Sequence, residues 1–278
     1  MTFNTRLLMI ILFLFFSSHA QMLFGQNASP KKYKEDFSKM KTNGVVFVDT
    51  GKKAFDSGIK LGLETAWDAS KYEIVEVSEL KKDSYVITTI SLTLNDRFGE
   101  RSDELLVIVP QSLLDEDDKQ LKSDPMILST ISIFGGDMSK SDYKHILPYA
   151  IGEMNNCFEM ILANPSVNSM EGIHELINKK NGFRTKNKEI LFIEGEFTKY
   201  IRFEHLEKEG IKYELVTMSE YEDMTDETLS DYVLAAFGGN TGVTFALYDP
   251  ISKDLLYTQS YSSGYLGKKR IREIQEYH

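Results

Sequence analysis

Hydrophobic positions along this chain follow two rhythms. Unbroken apolar runs such as Val45–Val48 read as strands covered on both faces, and apolar residues recurring every three or four positions read as helix faces. After Val45–Val48, the residues Ala54, Gly58, Leu61, Gly62 and Thr65 keep helical spacing and end near Trp67. A strand over Tyr72–Val77 and a capped short turn at Ser78-Glu79-Leu80 come next. Tyr85–Leu94, rich in Val, Ile and Thr, predicts a strand, and a polar tip over Asn95–Asp103 leads to its return at Leu105–Val109, closed by Pro110. An acidic helical connection (Ser112–Lys122) precedes a strand at Met126–Phe134, which Gly135-Gly136 ends.

A helical segment follows. Tyr149, Met154, Cys157, Phe158, Ile161 and Leu162 mark one apolar face, and Pro148 is expected in that helix's first turn, where its missing N–H is tolerated. A second helix over Ser169–Lys180 presents Ile173, Leu176 and Ile177 and stops at Asn181-Gly182. Then come a strand at Ile190–Glu194, a helix over Thr198–Glu209 ended by Gly210, and a strand at Tyr213–Met218. An acidic helix around Tyr221–Ser230, a meander of strands at Tyr232–Phe237, Val243–Tyr248 and Leu255–Tyr261, and a basic helix at Leu266–Tyr277 complete the order.

The two halves echo each other. Lys71–Leu80 (KYEIVEVSEL) returns at Lys212–Tyr221 as KYELVTMSEY, and Val45–Asp49 matches Ile190–Glu194. Ser84–Ile87 matches Asp231–Leu234, and the segments from Leu128 and Leu256 share Leu, Thr, Ser, Gly and Lys in register. Four matches in one order predict an α/β (α+β) fold made by tandem duplication of a β-α-β-α-β-β-β-α unit with mixed sheets. The expected division is a signal peptide at 1–20, a leader at 21–42, a first unit at 43–146, a helical segment at 147–188 and a second unit at 189–278.

Composition adds an address. Arg6, the apolar run Leu7–Phe16 and the small-x-small site Ser18-His19-Ala20 form an export signal, with Gly25 as a second cleavage site. The ten-residue run spans about 15 Å as a helix, half a bilayer core, so no stable membrane span is expected after cleavage. The mature chain is expected to be periplasmic or secreted. Residues 26–42 are polar and lysine-rich and read as a solvated leader or short helix. A net charge of −10 repels phosphate backbones, so nucleic acid is not an expected partner. With a single cysteine, Cys157, the cores must hold without an internal disulfide.

Candidate chemistry is sparse. Gly44 and Gly51 are too far apart for a phosphate loop, and Lys53 stands where its Ser or Thr would be. His174-Glu175 begins a zinc motif whose second histidine is replaced by Asn178. No GxSxG elbow occurs, Cys157 sits on an apolar helix face, and Asp115–Asp118 lacks the spacing of a calcium loop. Neither a cofactor nor a metal is expected. Gly135-Gly136-Asp137 and Gly238-Gly239-Asn240 end strands and can form backbone nests for a ligand. Asp49 and Glu194 stand at carboxyl ends of parallel strands, where α/β folds place sites. Trp67, Tyr261 and Tyr265 are the candidate aromatics for a small ligand or glycan.

The segment Tyr232–Ser260 (YVLAAFGGNTGVTFALYDPISKDLLYTQS) resembles the amino-terminal domain of the periplasmic protein TolB and related envelope accessory modules. The resemblance implies a non-catalytic, envelope-located module that binds another protein. That is the expected function. The alternatives are a hydrolase-like enzyme using Asp49, Glu194, His145 or His174, or a small-ligand binder with its site between the two units.

Overall fold

The structure, a computed structural model, describes residues 34–81, 83–96, 99–110, 143–194, 201–238, 243–261, 266 and 268–275. The fold is mixed α/β, built on two mixed sheets. Helix α1 (Lys34–Asn43) enters first and buries Phe37 and Met40, so the second half of the expected leader is packed into the core. Strand β1 (Val45–Val48), helix α2 (Lys53–Ala66) and strand β2 (Tyr72–Val75) form a parallel crossover unit. Strands β3 (Tyr85–Asp96) and β4 (Gly99–Pro110) complete a sheet of order β2-β1-β3-β4. The hairpin runs further than its polar composition predicts, because Asn95 and Asp96 still pair with Glu100 and Gly99. A ladder needs only backbone groups, so a polar segment can extend it.

Helix α3 (Tyr143–Ala163) begins earlier than expected, which puts Pro148 in its second turn. The proline removes the bond that residue 148 would donate to the carbonyl of Lys144. Helix α4 (Met170–Asn181) follows, capped by Ser169, whose hydroxyl accepts from Gly172 N at 3.1 Å. The second sheet has the order β6-β5-β7-β8-β9, from β5 (Glu189–Ile193), β6 (Tyr213–Val216), β7 (Tyr232–Gly238), β8 (Val243–Tyr248) and β9 (Leu255–Tyr261). Helix α5 (Phe203–Lys208) joins β5 to β6. The expected acidic helix is two short ones, α6 (Met218–Asp223) and α7 (Asp226–Leu229), because Thr217 and Thr225 each cap a separate start. Helix α8 (Lys268–Gln275) closes the described chain.

The layers run sheet, helices, sheet, helices. One large core joins Phe47 and Ile87 of the first sheet to Ile59 and Leu63 of α2, to Phe158 of α3, and to Leu191, Leu234 and Tyr248 of the second sheet. A smaller core lies on the second sheet's far face, where Phe192, Val233 and Phe245 meet Leu206 of α5 and Ile271 and Ile274 of α8. The first sheet turns its crossover-helix face to the centre; the second turns the opposite face.

Strand order and sense agree between the halves, and Val45↔Tyr72 corresponds to Ile190↔Tyr213 as the repeat predicts. The match of Tyr85-Val86-Ile87 to Tyr232-Val233-Leu234 does not survive. Val46 pairs with Val86, whereas its counterpart Leu191 pairs with Leu234, one residue further on. A one-residue slip exchanges the faces of a strand, so Tyr85 looks toward α2 while Tyr232 looks away from α5. The segment from Leu128 that would carry the fourth match lies outside the described residues.

The edge of β9 is closed by helix side chains. Asn178 accepts from Thr258 N and donates to Thr258 O, both at 2.9 Å; Asn181 donates to Leu255 O at 2.8 Å, and Asn156 accepts from Leu255 N at 2.6 Å. An asparagine amide offers the donor and acceptor of a peptide, so these residues stand in for a further strand. Replacing Asn178 with Leu strands a buried N–H and C=O together and is expected to cost about 2–3 kcal/mol in urea-denaturation stability.

Candidate functional site

Among the described residues, no hydrogen bond or ion pair joins Asp49, Glu194, Trp67 and Gly238 to one another. Asp49 closes the loop before α2: it accepts from Gly51 N at 3.0 Å and pairs with Lys60 at 2.7 Å, and the lysine, with the Gly51 amide, lowers its carboxyl to about 2. It thereby ties the loop after β1 to the middle of α2. Glu194 stands exposed at the end of β5, with its amide bonded to Val216 O. Trp67 is 6% exposed, packs on Phe158, and donates its indole N–H to Ser70 O at 3.0 Å, which makes it a core residue. Gly238 ends β7, paired with Thr244. Gly135, Gly136, Gly239, Asn240, Tyr265 and the Tyr261 side chain lie outside the described residues.

His174 lies on α4, where its Nε2 is sealed from solvent without a hydrogen-bond partner. Burial pushes its pKa down to about 4. The residue keeps some surface exposure, but protonation must place charge at the sealed nitrogen. An unfolded histidine titrates near 6.5, so between about 6.5 and 4 the unfolded chain holds a proton that the folded chain refuses. Stability is therefore expected to fall as pH drops through that window, by up to about 1.4 kcal/mol per pH unit. Urea midpoints at stepped pH should show this slope in the parent and a flatter one in H174L.

His145 is different. It lines a cleft of about 350 Å³ between the halves, together with Leu61, Pro148, Tyr221, Met224 and Lys253. Its Nε2 pairs with Glu222, so α3 is tied to α6 across the cleft. Behind it, the hydroxyls of Tyr149 and Tyr221 bond to each other, and the Lys253 ammonium reaches Tyr149 Oη at 3.2 Å and the Pro250 carbonyl. Lys253 also lies 4.7 Å from the centroid of the Tyr149 ring. Burial raises the pKa of both tyrosines and lowers that of Lys253, with Asp226 and Asp249 opposing the latter from a distance.

The turn that carries Lys253 is clamped. Asp249 accepts from Ile251 N and Ser252 N, and Arg184 reaches Asp249 and Asp254 at 2.8 and 2.7 Å. Lys253 itself has a φ of 65°, a left-handed conformation uncommon outside Gly, Asn and Asp. Gly152 of α3 admits this turn, because a Cβ there would overlap the Lys253 carbonyl, whose carbon would lie 2.9 Å away. Sequence rhythm did not single out Tyr149, Tyr221 or Lys253. Tyr149 reads as part of an apolar helix face and Tyr221 as the start of an acidic helix, and nothing about a lysine in a turn predicts that it folds inward. Substituting Ala for Gly152 is expected to cost about 1–3 kcal/mol by displacing that turn, read as a lower urea midpoint.

The second feature is at the sheet edges. The repeated KYEIV and KYELV segments are β2 and β6, the outermost strands of their sheets. Lys71 O and Val75 O accept from β1, and Lys212 O and Val216 O accept from β5, so the backbone groups of Tyr72, Ile74, Tyr213 and Leu215 point outward. Ile74 and Leu215, at equivalent repeat positions, are each 39% exposed. The motif also ends its strand the same way twice: Glu79 accepts from Glu76 N at 3.1 Å and Glu220 from Thr217 N at 2.7 Å.

Among the described residues, no group of three or more His, Cys, Asp or Glu is placed to hold a metal ion, and no helix is long and apolar enough to cross a membrane. Compared with known proteins, the chain matches no family model, no curated protein and no solved structure.

Proposed function

We propose that this chain is an exported protein-interaction module of the cell envelope that captures an extended segment of a partner on its sheet edges. The observation that carries the reading is the placement of the repeat. Within the ten residues most alike in the two halves lies an edge strand of each sheet, Tyr72–Val75 and Tyr213–Val216, with burial patterns that leave Glu73, Ile74, Glu214 and Leu215 exposed. A core repeat serves packing; a repeated edge presents the same outward amides, carbonyls and aliphatic side chain twice. That is the surface on which a peptide adds as a strand, with backbone bonds supplying affinity and alternate side chains supplying choice. The envelope address rests on Arg6, Leu7–Phe16 and Ser18-His19-Ala20, and on the resemblance over Tyr232–Ser260, the segment of β7–β9.

Strand β8 is paired on both sides, the edge of β9 is filled by asparagines, and β4, the other outer strand of the first sheet, lacks the repeated segment, so β2 and β6 are the edges to test. Chain from Gln21 onward, immobilised, should retain one saturable envelope protein. I74K or L215K should each weaken retention by about tenfold and the pair should abolish it, since an edge lysine opposes strand addition. I74P, which removes an outward amide while sparing the ladder to β1, should act in the same direction. These sites are exposed, so thermal stability should barely move. Retention indifferent to all four variants would overturn the proposal.

A further inference from the structure

We infer that the cleft between the halves binds a small monocarboxylate with a short alkyl body, its carboxylate on the Lys253 ammonium and its chain against Leu61, Pro148, Met224 and Leu229. The inference is independent of the strand-addition reading.

Four observations converge. The cleft, about 350 Å³, is lined on one side by apolar side chains and on the other by Lys144, His145, Tyr221, Glu222 and Lys253. Lys253 is half-buried, yet its direct partners are two neutral oxygens, the Tyr149 hydroxyl and the Pro250 carbonyl. Among the described residues no carboxylate lies in ion-pair contact with it. Glu222 is committed to His145, and Asp249 and Asp254 to Arg184. An ammonium partly withdrawn from water without a paired anion is costly, and an incoming carboxylate would relieve that cost.

Nor is the lysine there by default. It is held in a left-handed backbone conformation, in a turn fixed by Arg184 and seated against Gly152. Strain at a clamped residue beside a cavity is a mark of function. Pro148 adds to the same wall by removing the helical N–H that would bond the Lys144 carbonyl.

The charge count selects the ligand. Lys253 on the inner wall and the exposed Lys144 outnumber Glu222 by one, so the charged side chains of the cleft match a single negative charge, while Glu222 disfavours a dianion such as phosphate. The cavity is at the small end of ligand sites, which sets a chain of a few carbons.

The test titrates the chain from Gln21 onward with hexanoate, hexanol, butylammonium and inorganic phosphate, followed by calorimetry and by NMR shifts. Hexanoate should bind saturably, with hexanol and phosphate at least about tenfold weaker and butylammonium not binding. K253N, chosen because Asn accepts a left-handed backbone, should weaken hexanoate at least about tenfold while leaving hexanol unchanged. L61W, which fills the cleft from the opposite wall, should block binding without touching the lysine. Hexanol binding as tightly as hexanoate would remove the role of charge, and tighter phosphate binding would overturn the carboxylate class. Hexanoate binding that ignores both variants, or never saturates, would overturn the site itself.

Discussion

The fold depends on how closely helix α3 can be approached from two directions. On one side Gly62 of α2 lies against it so tightly that a Cβ would meet Ile151 Cγ1 at 2.8 Å and Pro148 Cα at 3.1 Å. On the other, Gly152 receives the backbone of the turn between β8 and β9. Dispersion falls off steeply with separation, so two glycines bring whole surfaces into contact that single methyl groups would hold apart. Around that axis Phe158 touches Phe37 and Trp67, and Tyr248 donates to the wholly buried Glu153 at 2.9 Å. A carboxylate can stay there because a hydrogen bond from across the layer meets it. The halves are thereby one body around one helix.

This arrangement accounts for the peculiar fidelity of the internal repeat. With the first sheet facing the centre through its crossover-helix side and the second through its other side, equivalent core strands meet different neighbours. Alike side chains serve different packing, Phe47 in the central core and Phe192 in the outer one, and the registers of β3 and β7 differ by one residue. The outward positions of the edge strands escape that pressure. Glu73, Ile74, Glu214 and Leu215 stay exposed, although Tyr213 stacks on Phe203 and Val216 is buried, and each strand is stopped by a glutamate that returns to the backbone.

Much of the local structure was legible in the sequence. Ser169 and Asn181-Gly182 bound α4 as read, and the strands β7–β9 fall where their apolar runs place them. The misreadings have physical causes. Pro148 suggested a helix start, but the apolar spacing of Leu147, Ala150 and Ile151 rewards a helix begun earlier, and packing outweighs one lost bond. Phe37 and Met40 sit in a lysine-rich stretch whose average polarity hid two core anchors. Trp67 drew attention as a ligand aromatic, yet its N–H is satisfied by Ser70 and its ring by Phe158. The seam residues could not have been found by periodicity. Lys253 turns inward only because Arg184, 69 positions earlier, fixes its turn.

That dependence explains why a cleft exists where it does. Helices α2 and α3 meet at the glycine contact and diverge from it, while α6 and α7 are short and separately capped, too small to fill the gap. Leu61, Pro148, Met224 and Leu229 thus remain as walls around a space that the close contact itself created. An apolar side chain folded in from the β8–β9 turn would have closed it. Placing a lysine there instead, in a conformation lysine resists, leaves its ammonium resting on two neutral oxygens at the wall of the cleft, while the glycine contact beside it holds the two halves together.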